Sequence, residues 1–105
     1  AMAVYEATSN NVDELLKADY AVVDFYGDHC GACVVLEPVY NEASNDLAMI
    51  RFIKANVDQD RDLGERFNIK ALPTLLFFRN GQVVHTAGGA MDRKMLNSHI
   101  AKLLY

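Results

Sequence analysis

The 105-residue chain is 51% hydrophobic and carries a net charge of −4, with no block of Lys and Arg. That length can bury a core without several disulfides or a structural metal, and the acidic balance argues against sequence-independent binding to nucleic acid. Apolar runs such as Leu75-Leu76-Phe77-Phe78 are too short to cross a bilayer, and the opening AMAVYEATSN lacks the basic-then-apolar pattern of a secretion signal; the expectation is no membrane partner and a cytoplasmic setting.

No repeat, low-complexity segment or linker interrupts the chain, so residues 1–105 read as one domain. A short strand is expected near Ala3 to Glu6, and Ser9-Asn10-Asn11 offer capping side chains to a helix through Val12, Leu15 and Leu16. Ala21 to Tyr26 reads as a strand. From Gly31 to Ala48, apolar residues recur at helical spacing (Val35, Leu36, Val39, Ala43, Leu47), and the pattern keeps its register past Pro38, which predicts a kinked but continuous helix. Ile50 to Val57 reads as a second core strand, Asp60 to Phe67 as a short helix opened by acidic residues, and Leu75 to Phe78 as a buried strand. Asn80-Gly81 is a strong hairpin signal, so Gln82 to Thr86 should return antiparallel, with Gly88-Gly89 ending that strand. Asp92 through Met95, Leu96, His99, Ile100 and Leu103 reads as a last amphipathic helix. The expected architecture is α/β: a mixed central sheet of about five strands flanked by about four helices.

Cys30 and Cys33 are the only cysteines, and their Cys-x-x-Cys spacing falls where the Ala21 strand passes into the Gly31 helix. Residues i and i+3 in a first helical turn lie within disulfide-forming distance, so oxidation and reduction can proceed with little backbone movement. The first of the pair faces unpaired N–H groups and the positive end of the helix dipole, which stabilise a thiolate. Cys30 is therefore the expected nucleophile, and Cys33, one turn deeper, the resolving thiol. A zinc set made of Cys30, Cys33 and two of His29, His85 and His99 is the metal alternative; His85 and His99 fall on a strand and a helix and lack the usual tight spacing, and no metal is expected.

At several separated places, VVDFYGDHCGAC, KANVDQDRDLGERFNIKALPTLLFFRNGQ and GGA, the sequence resembles the thioredoxin family, over nearly the whole chain from Val4 to Leu104. The resemblance implies a thioredoxin fold and an atypical member with a His-Cys-Gly-Ala-Cys active site; a lowered Cys-x-x-Cys pKa is an established family property. It implies that Asp24 is the buried aspartate beneath the cysteines and a proton acceptor for Cys33, and the apolar setting Val22-Val23-Asp24-Phe25-Tyr26 agrees, since burial disfavours a carboxylate. It implies that Lys54 lies near Asp24, and that Pro73 is a cis-proline opposite the cysteines with Leu72 offering its backbone to an extended substrate segment. Gly88, Gly89 and Ala90 would complete a substrate groove beside His29, Gly31 and Ala32. A plainer reading stays open for each: a strand-end aspartate held by backbone hydrogen bonds, a solvated lysine, a trans turn proline, glycines that only close a strand.

Thioredoxins usually carry Trp-Cys-Gly-Pro-Cys, and here His29 and Ala32 replace the tryptophan and the proline, while Tyr26 stands where another family tryptophan packs. Ala32 restores a backbone N–H able to donate to a Cys30 thiolate, a charge-assisted bond worth roughly 1.5 to 3 kcal/mol. An imidazolium at His29 would also favour the thiolate, with Asp28 able to hold or partly cancel that charge. The implied activity is protein disulfide reduction by a cycling Cys30–Cys33 dithiol, with no bound cofactor. Electrons would come from NADPH through a thioredoxin-reductase-like flavoprotein, the substrates would be disulfide-containing proteins, and the chain would be a monomer. Oxidase or isomerase activity, glutathione-linked activity and a non-catalytic binding module on the same scaffold are the alternatives.

The two departures predict a dithiol less reducing than a proline-containing motif. In equilibrium titration against glutathione, Ala32→Pro should lower the reduction potential by roughly 30 to 60 mV, and His29→Trp should lower it too. Unchanged or higher potentials in both variants would overturn that expectation.

Overall fold

The structure, a computed structural model, describes residues 4–105. In chain order it runs β1 (Val4–Glu6), α1 (Val12–Leu15), β2 (Tyr20–Tyr26), α2 (Gly31–Asp46), β3 (Arg51–Asn56), α3 (Arg61–Arg66), β4 (Thr74–Arg79), β5 (Gln82–Gly88) and α4 (Arg93–Leu104). The expected start of the first strand at Ala3 lies outside the described residues. The five strands form one sheet in the order β1-β3-β2-β4-β5, with β1, β3 and β2 parallel and the β2–β4 and β4–β5 pairs antiparallel, which is the expected mixed sheet. Asn80 and Gly81 both have positive φ (51° and 79°), the geometry of the two-residue turn that closes β4 onto β5.

Alternation along β2 divides the core. Ala21, Val23 and Phe25 face a cluster completed by Val12, Leu16 and Leu63 from the α1 and α3 side, whereas Val22 faces Leu36, Tyr40, Leu96, Ile100 and Leu103 of α2 and α4. Asp24, two residues on from Val22, therefore points to the α2 side. Among the described residues no helix is long and apolar enough to cross a membrane.

The structure moves several expected positions. Val35 is 59% exposed; the buried face of α2 is Cys33, Leu36, Tyr40 and Ala43, with Val39 and Leu47 at its margin. A one-residue error rotates a helical face by about 100°, and Tyr40, a polar residue in an apolar pattern, was the omitted member. Met95 is likewise 53% exposed, one position off the Leu96, Ile100, Leu103 stripe. The Ser9-Asn10-Asn11 side chains do not cap α1. Asn11 instead accepts from the Thr8 N–H (2.7 Å) and donates to the Glu6 carbonyl (3.1 Å), while the Ser9 hydroxyl donates to Asp60 at the start of α3 (2.7 Å). β5 ends at Gly88, its last paired residue, opposite Thr74, two residues beyond the expected Thr86.

Tyr40 anchors α2 to the sheet. Its fully buried ring packs edge-on against Phe52, and its hydroxyl lies between the Val22 and Ile53 carbonyls (2.9 and 2.6 Å) while accepting from the Ile53 N–H (3.3 Å). Tyr40→Phe leaves those buried backbone groups short of a partner, and should cost roughly 1 to 3 kcal/mol. Urea denaturation should show a lower midpoint at an unchanged m-value; an unaltered midpoint would contradict the anchoring role.

Candidate active site

Cys30 is the N-cap of α2: a short turn, Gly27 to His29, follows β2, and Cys30 itself is extended (φ −137°, ψ 101°) as it enters the first helical turn. Cys30 and Cys33 form a disulfide across that turn, with Cα atoms 5.3 Å apart. Cys30 is partly exposed and Cys33 only 6% exposed, an asymmetry that suits an accessible nucleophile and a buried partner. The N–H that reaches Cys30 Sγ belongs to Cys33 (3.2 Å), not to Ala32 as the sequence suggested. An N-cap side chain can be reached by the N–H two or three residues on, and here it is the third. Ala32→Pro thus removes an N–H that makes no bond to Cys30 Sγ and leaves the observed bond intact, so its effect on the potential should fall below the range expected from the sequence.

Strand register assembles the groups behind the disulfide. Glu6 of β1 and Asp24 of β2 are both register partners of Lys54 on β3, and Tyr26 shares Asp24's face. Lys54 is therefore inside the sheet next to Asp24 rather than a solvated edge residue; its ammonium lies 3.9 Å from the Glu6 carboxylate and 5.8 Å from the centre of the Tyr26 ring. The Tyr26 hydroxyl donates to Glu6 (3.0 Å). Asp24 is 5% exposed, and its Oδ1 has no hydrogen-bond partner. Burial is the main cause pushing its carboxyl up to about 7; Lys54 opposes this, and Glu37 and Glu6 add to it. A cavity of about 230 Å³ opens between these residues and α2, lined by Asp24, Tyr26, Cys33, Glu37, Tyr40 and Lys54 among others.

Three loops meet beside the segment that leads into Cys30. The Leu72–Pro73 peptide is cis, and the Pro73 carbonyl accepts from the Gly89 N–H (3.1 Å), which joins the proline loop to the glycine loop; Gly89 has a positive φ of 86° that favours glycine. A Cβ at Gly27 would lie 2.7 Å from the Asp58 carboxylate and 2.8 Å from Leu72 Cδ1, so glycine there lets the loop before Cys30 pack against Leu72. Asp58 in turn accepts from the Asp28 N–H (2.7 Å), and buried Asn56 donates to the Asp28 carboxylate (2.8 Å). Asp28 is thereby committed to Asn56 and not to His29. His29 is exposed, and among the described residues no hydrogen bond involves its ring. Gly31 is exposed too, and a Cβ there would meet nothing within 4 Å.

Gly27, Asn56, Asp58, Tyr40 and Glu37 received no role from the sequence. Asn56 and Asp58 lie inside a quoted block, but a polar residue at a strand end signals burial only once its partner is known. His85 and His99, on a strand and a helix, meet at 2.9 Å between Nε2 and Nδ1, with both rings against Phe77. Among the described residues no group of three or more His, Cys, Asp and Glu is placed to hold a metal ion.

A sheet of this order with a Cys-x-x-Cys disulfide at the head of α2 defines a thioredoxin-fold thiol–disulfide oxidoreductase. The Thioredoxin family model matches residues 3–102, and the chain belongs to the thioredoxin family. It is 33% identical over 86 residues to a thioredoxin of Mycoplasmoides gallisepticum, covering 81% of this chain and 86% of that one. It is 35% identical over 77 residues to a peptide-N(4)-(N-acetyl-beta-glucosaminyl)asparagine amidase of Caenorhabditis briggsae, covering 73% of this chain and 13% of that protein. Among solved structures it superposes on the Malassezia sympodialis thioredoxin Mala s 13 with TM-score 0.86 at 28% identity, covering 97% and 91% of the two chains. It superposes on human ERp44 with TM-score 0.86 at 32% identity, covering 97% of this chain and 29% of that one.

Because the folded-state pKa of Asp24 lies above its unfolded value, the folded chain keeps a proton that the unfolded chain loses between about pH 4 and 7. The stability this gives is lost as pH rises through that window, and above it a buried carboxylate costs on the order of 4 kcal/mol. Asp24→Asn should therefore stabilise the protein by roughly 2 to 4 kcal/mol at pH 8 and by little at pH 4. An equal effect at both pH values, measured by denaturant unfolding, would contradict this.

Proposed function

We propose that the chain is a protein disulfide reductase. The observation that carries this reading is a partly exposed Cys30 capping α2, disulfide-bonded to a buried Cys33 and backed across a cavity by an unpartnered buried carboxylate. In the reduced protein, the Cys30 thiolate attacks one sulfur of a substrate disulfide; a Cys30–substrate bond forms, and the first substrate sulfur leaves with the electron pair and takes a proton from water. Cys33 then gives its proton to Asp24, and its thiolate attacks Cys30 Sγ. The Cys30–Cys33 bond forms, the mixed disulfide breaks, and the second substrate sulfur departs as a thiol. The substrate has gained two electrons and the chain has lost them. NADPH, acting through a thioredoxin-reductase-like flavoprotein, restores the dithiol.

Substrate contact falls to the rim around the disulfide: His29, Gly31, Ala32, Leu72, Pro73, Gly88 and Gly89. Bare Gly31 supports this, since nothing within the chain requires glycine there and an approaching backbone would benefit from one. Reductase work fits a cytoplasmic location, where thiols are kept reduced, and a single chain carries the whole site, so the working unit is a monomer. The oxidase or isomerase reading draws on one specific observation, the Cys33 N–H bonded to Cys30 Sγ, which would also favour a thiolate and raise the potential.

With NADPH and a thioredoxin reductase, turnover of a disulfide-containing model protein should vanish in Cys30→Ser, while Cys33→Ser should accumulate the mixed disulfide with substrate on a non-reducing gel. Turnover that persists in Cys30→Ser refutes the nucleophile assignment. Failure of the parent protein to turn over, with rapid oxidation of a reduced substrate instead, would favour the oxidase.

A further inference from the structure

One turn beyond Cys33 on α2, Glu37 lines the cavity that holds Asp24, with Asp28 at its rim. The i to i+4 spacing gives it the same helix face as Cys33. Unlike Asp24 it is exposed, and among the described residues no hydrogen bond or ion pair engages its carboxylate. The cavity between them, at about 230 Å³ and lined by several polar side chains, has room for more than one water.

The charged and titratable groups that face Asp24 can be taken element by element. On β3 Lys54 draws its proton away; on β1 Glu6 is occupied by Lys54 and the Tyr26 hydroxyl. On β2 Tyr26 is tied to Glu6, and at the rim Asp28 is held by Asn56. On α2 the Tyr40 hydroxyl is committed to the Val22 and Ile53 backbone, and Cys33 is the proton donor of the resolving step. Glu37 is the remaining negative charge, uncommitted and open to solvent.

We propose that Glu37 is a positioning residue for the resolving step: acting through Asp24 from across the cavity, its negative charge helps Asp24 retain the proton that Cys33 gives up, against the pull of Lys54. The inference rests on the reading that Asp24 accepts that proton. The Cys33 Sγ–H bond breaks and the proton passes by way of cavity water to Asp24; the sulfur electron pair forms the Cys30–Cys33 bond. The Cys30–substrate bond breaks, its electron pair leaves on the substrate sulfur, that sulfur takes a proton from water, and Asp24 later returns its own proton to the cavity water beside Glu37. Glu37 also ranks directly after burial and Lys54 among the influences on the Asp24 carboxyl.

The experiment follows two quantities against pH: the Asp24 carboxyl by carbon-13 NMR, and the single-turnover rate at which Cys33 releases a trapped substrate thiol. Glu37→Gln should move both midpoints down together by roughly 0.3 to 1 pH unit, Glu37→Lys should move them further, and Glu37→Asp should stay near the parent. Because Glu37 is exposed, 1 M salt should shrink these differences. Unmoved midpoints in Glu37→Gln and Glu37→Lys, with the pH-dependent limb still lost in Asp24→Asn, overturn the role of Glu37 and leave Asp24 as the acceptor. A limb that survives in Asp24→Asn overturns the acceptor itself, and the role of Glu37 with it.

Discussion

The hydroxyl of Tyr40, set among the Val22 and Ile53 backbone groups, is the contact on which the rest of the site depends. Helix α2 carries Cys30, Cys33 and Glu37, whereas Asp24 and Lys54 belong to the sheet, so the chemistry exists only if helix and sheet keep one relative position. Apolar packing of Leu36 and Ala43 holds the two layers together but is non-directional and tolerates small slides. A buried hydrogen bond depends steeply on distance and angle, and it selects one of those arrangements. At the far end of α2, Arg93 of α4 reaches Glu42 (2.8 Å) and Asp46 (2.7 Å), a solvent-facing tie that holds less tightly than the buried one.

Seated in this way, the helix helps to take an ordinary carboxylate out of water. Burial alone would keep Asp24 neutral, while Lys54, its partner across the β2–β3 ladder, pulls towards the charged form. The balance leaves the carboxyl at about 7, where it can both accept and release a proton near neutral pH. Its unpartnered Oδ1 is a cost that a purely structural aspartate would avoid. The loops beside the segment that leads into Cys30 are arranged by a different principle. Gly27 packs against Leu72, Asp58 holds the Asp28 N–H, and the Pro73 carbonyl holds the Gly89 N–H, so three segments distant in sequence form one rim.

Much of this is legible in the sequence. Alternating and helical hydrophobic patterns placed every element to within a few residues, because burial imposes those periods directly, and Asn80-Gly81 announced its hairpin through the positive φ values that such a turn requires. Errors clustered where a polar residue does core work or an apolar one does not. Tyr40 is buried where the apolar pattern points to Val35, and Met95 is exposed beside the buried Leu96, since periodicity gives a face only to within a residue. The Asn11 and Ser9 side chains have local capping chemistry, but partners at Glu6 and Asp60 won them over.

The sequence by itself determined the thiol pair at a strand-to-helix junction, the order of the elements and the presence of an ionisable residue in a core strand, because spacing and local chemistry are properties of neighbouring residues. Tertiary structure alone decided which N–H reaches Cys30, that Lys54 stands beside Asp24 on the neighbouring strand, that Glu37 faces the same cavity, and that His85 meets His99. Each of these depends on strand register or on the rotation of a helix against the sheet. Those are set by the packing of the whole core, which no local stretch of sequence contains.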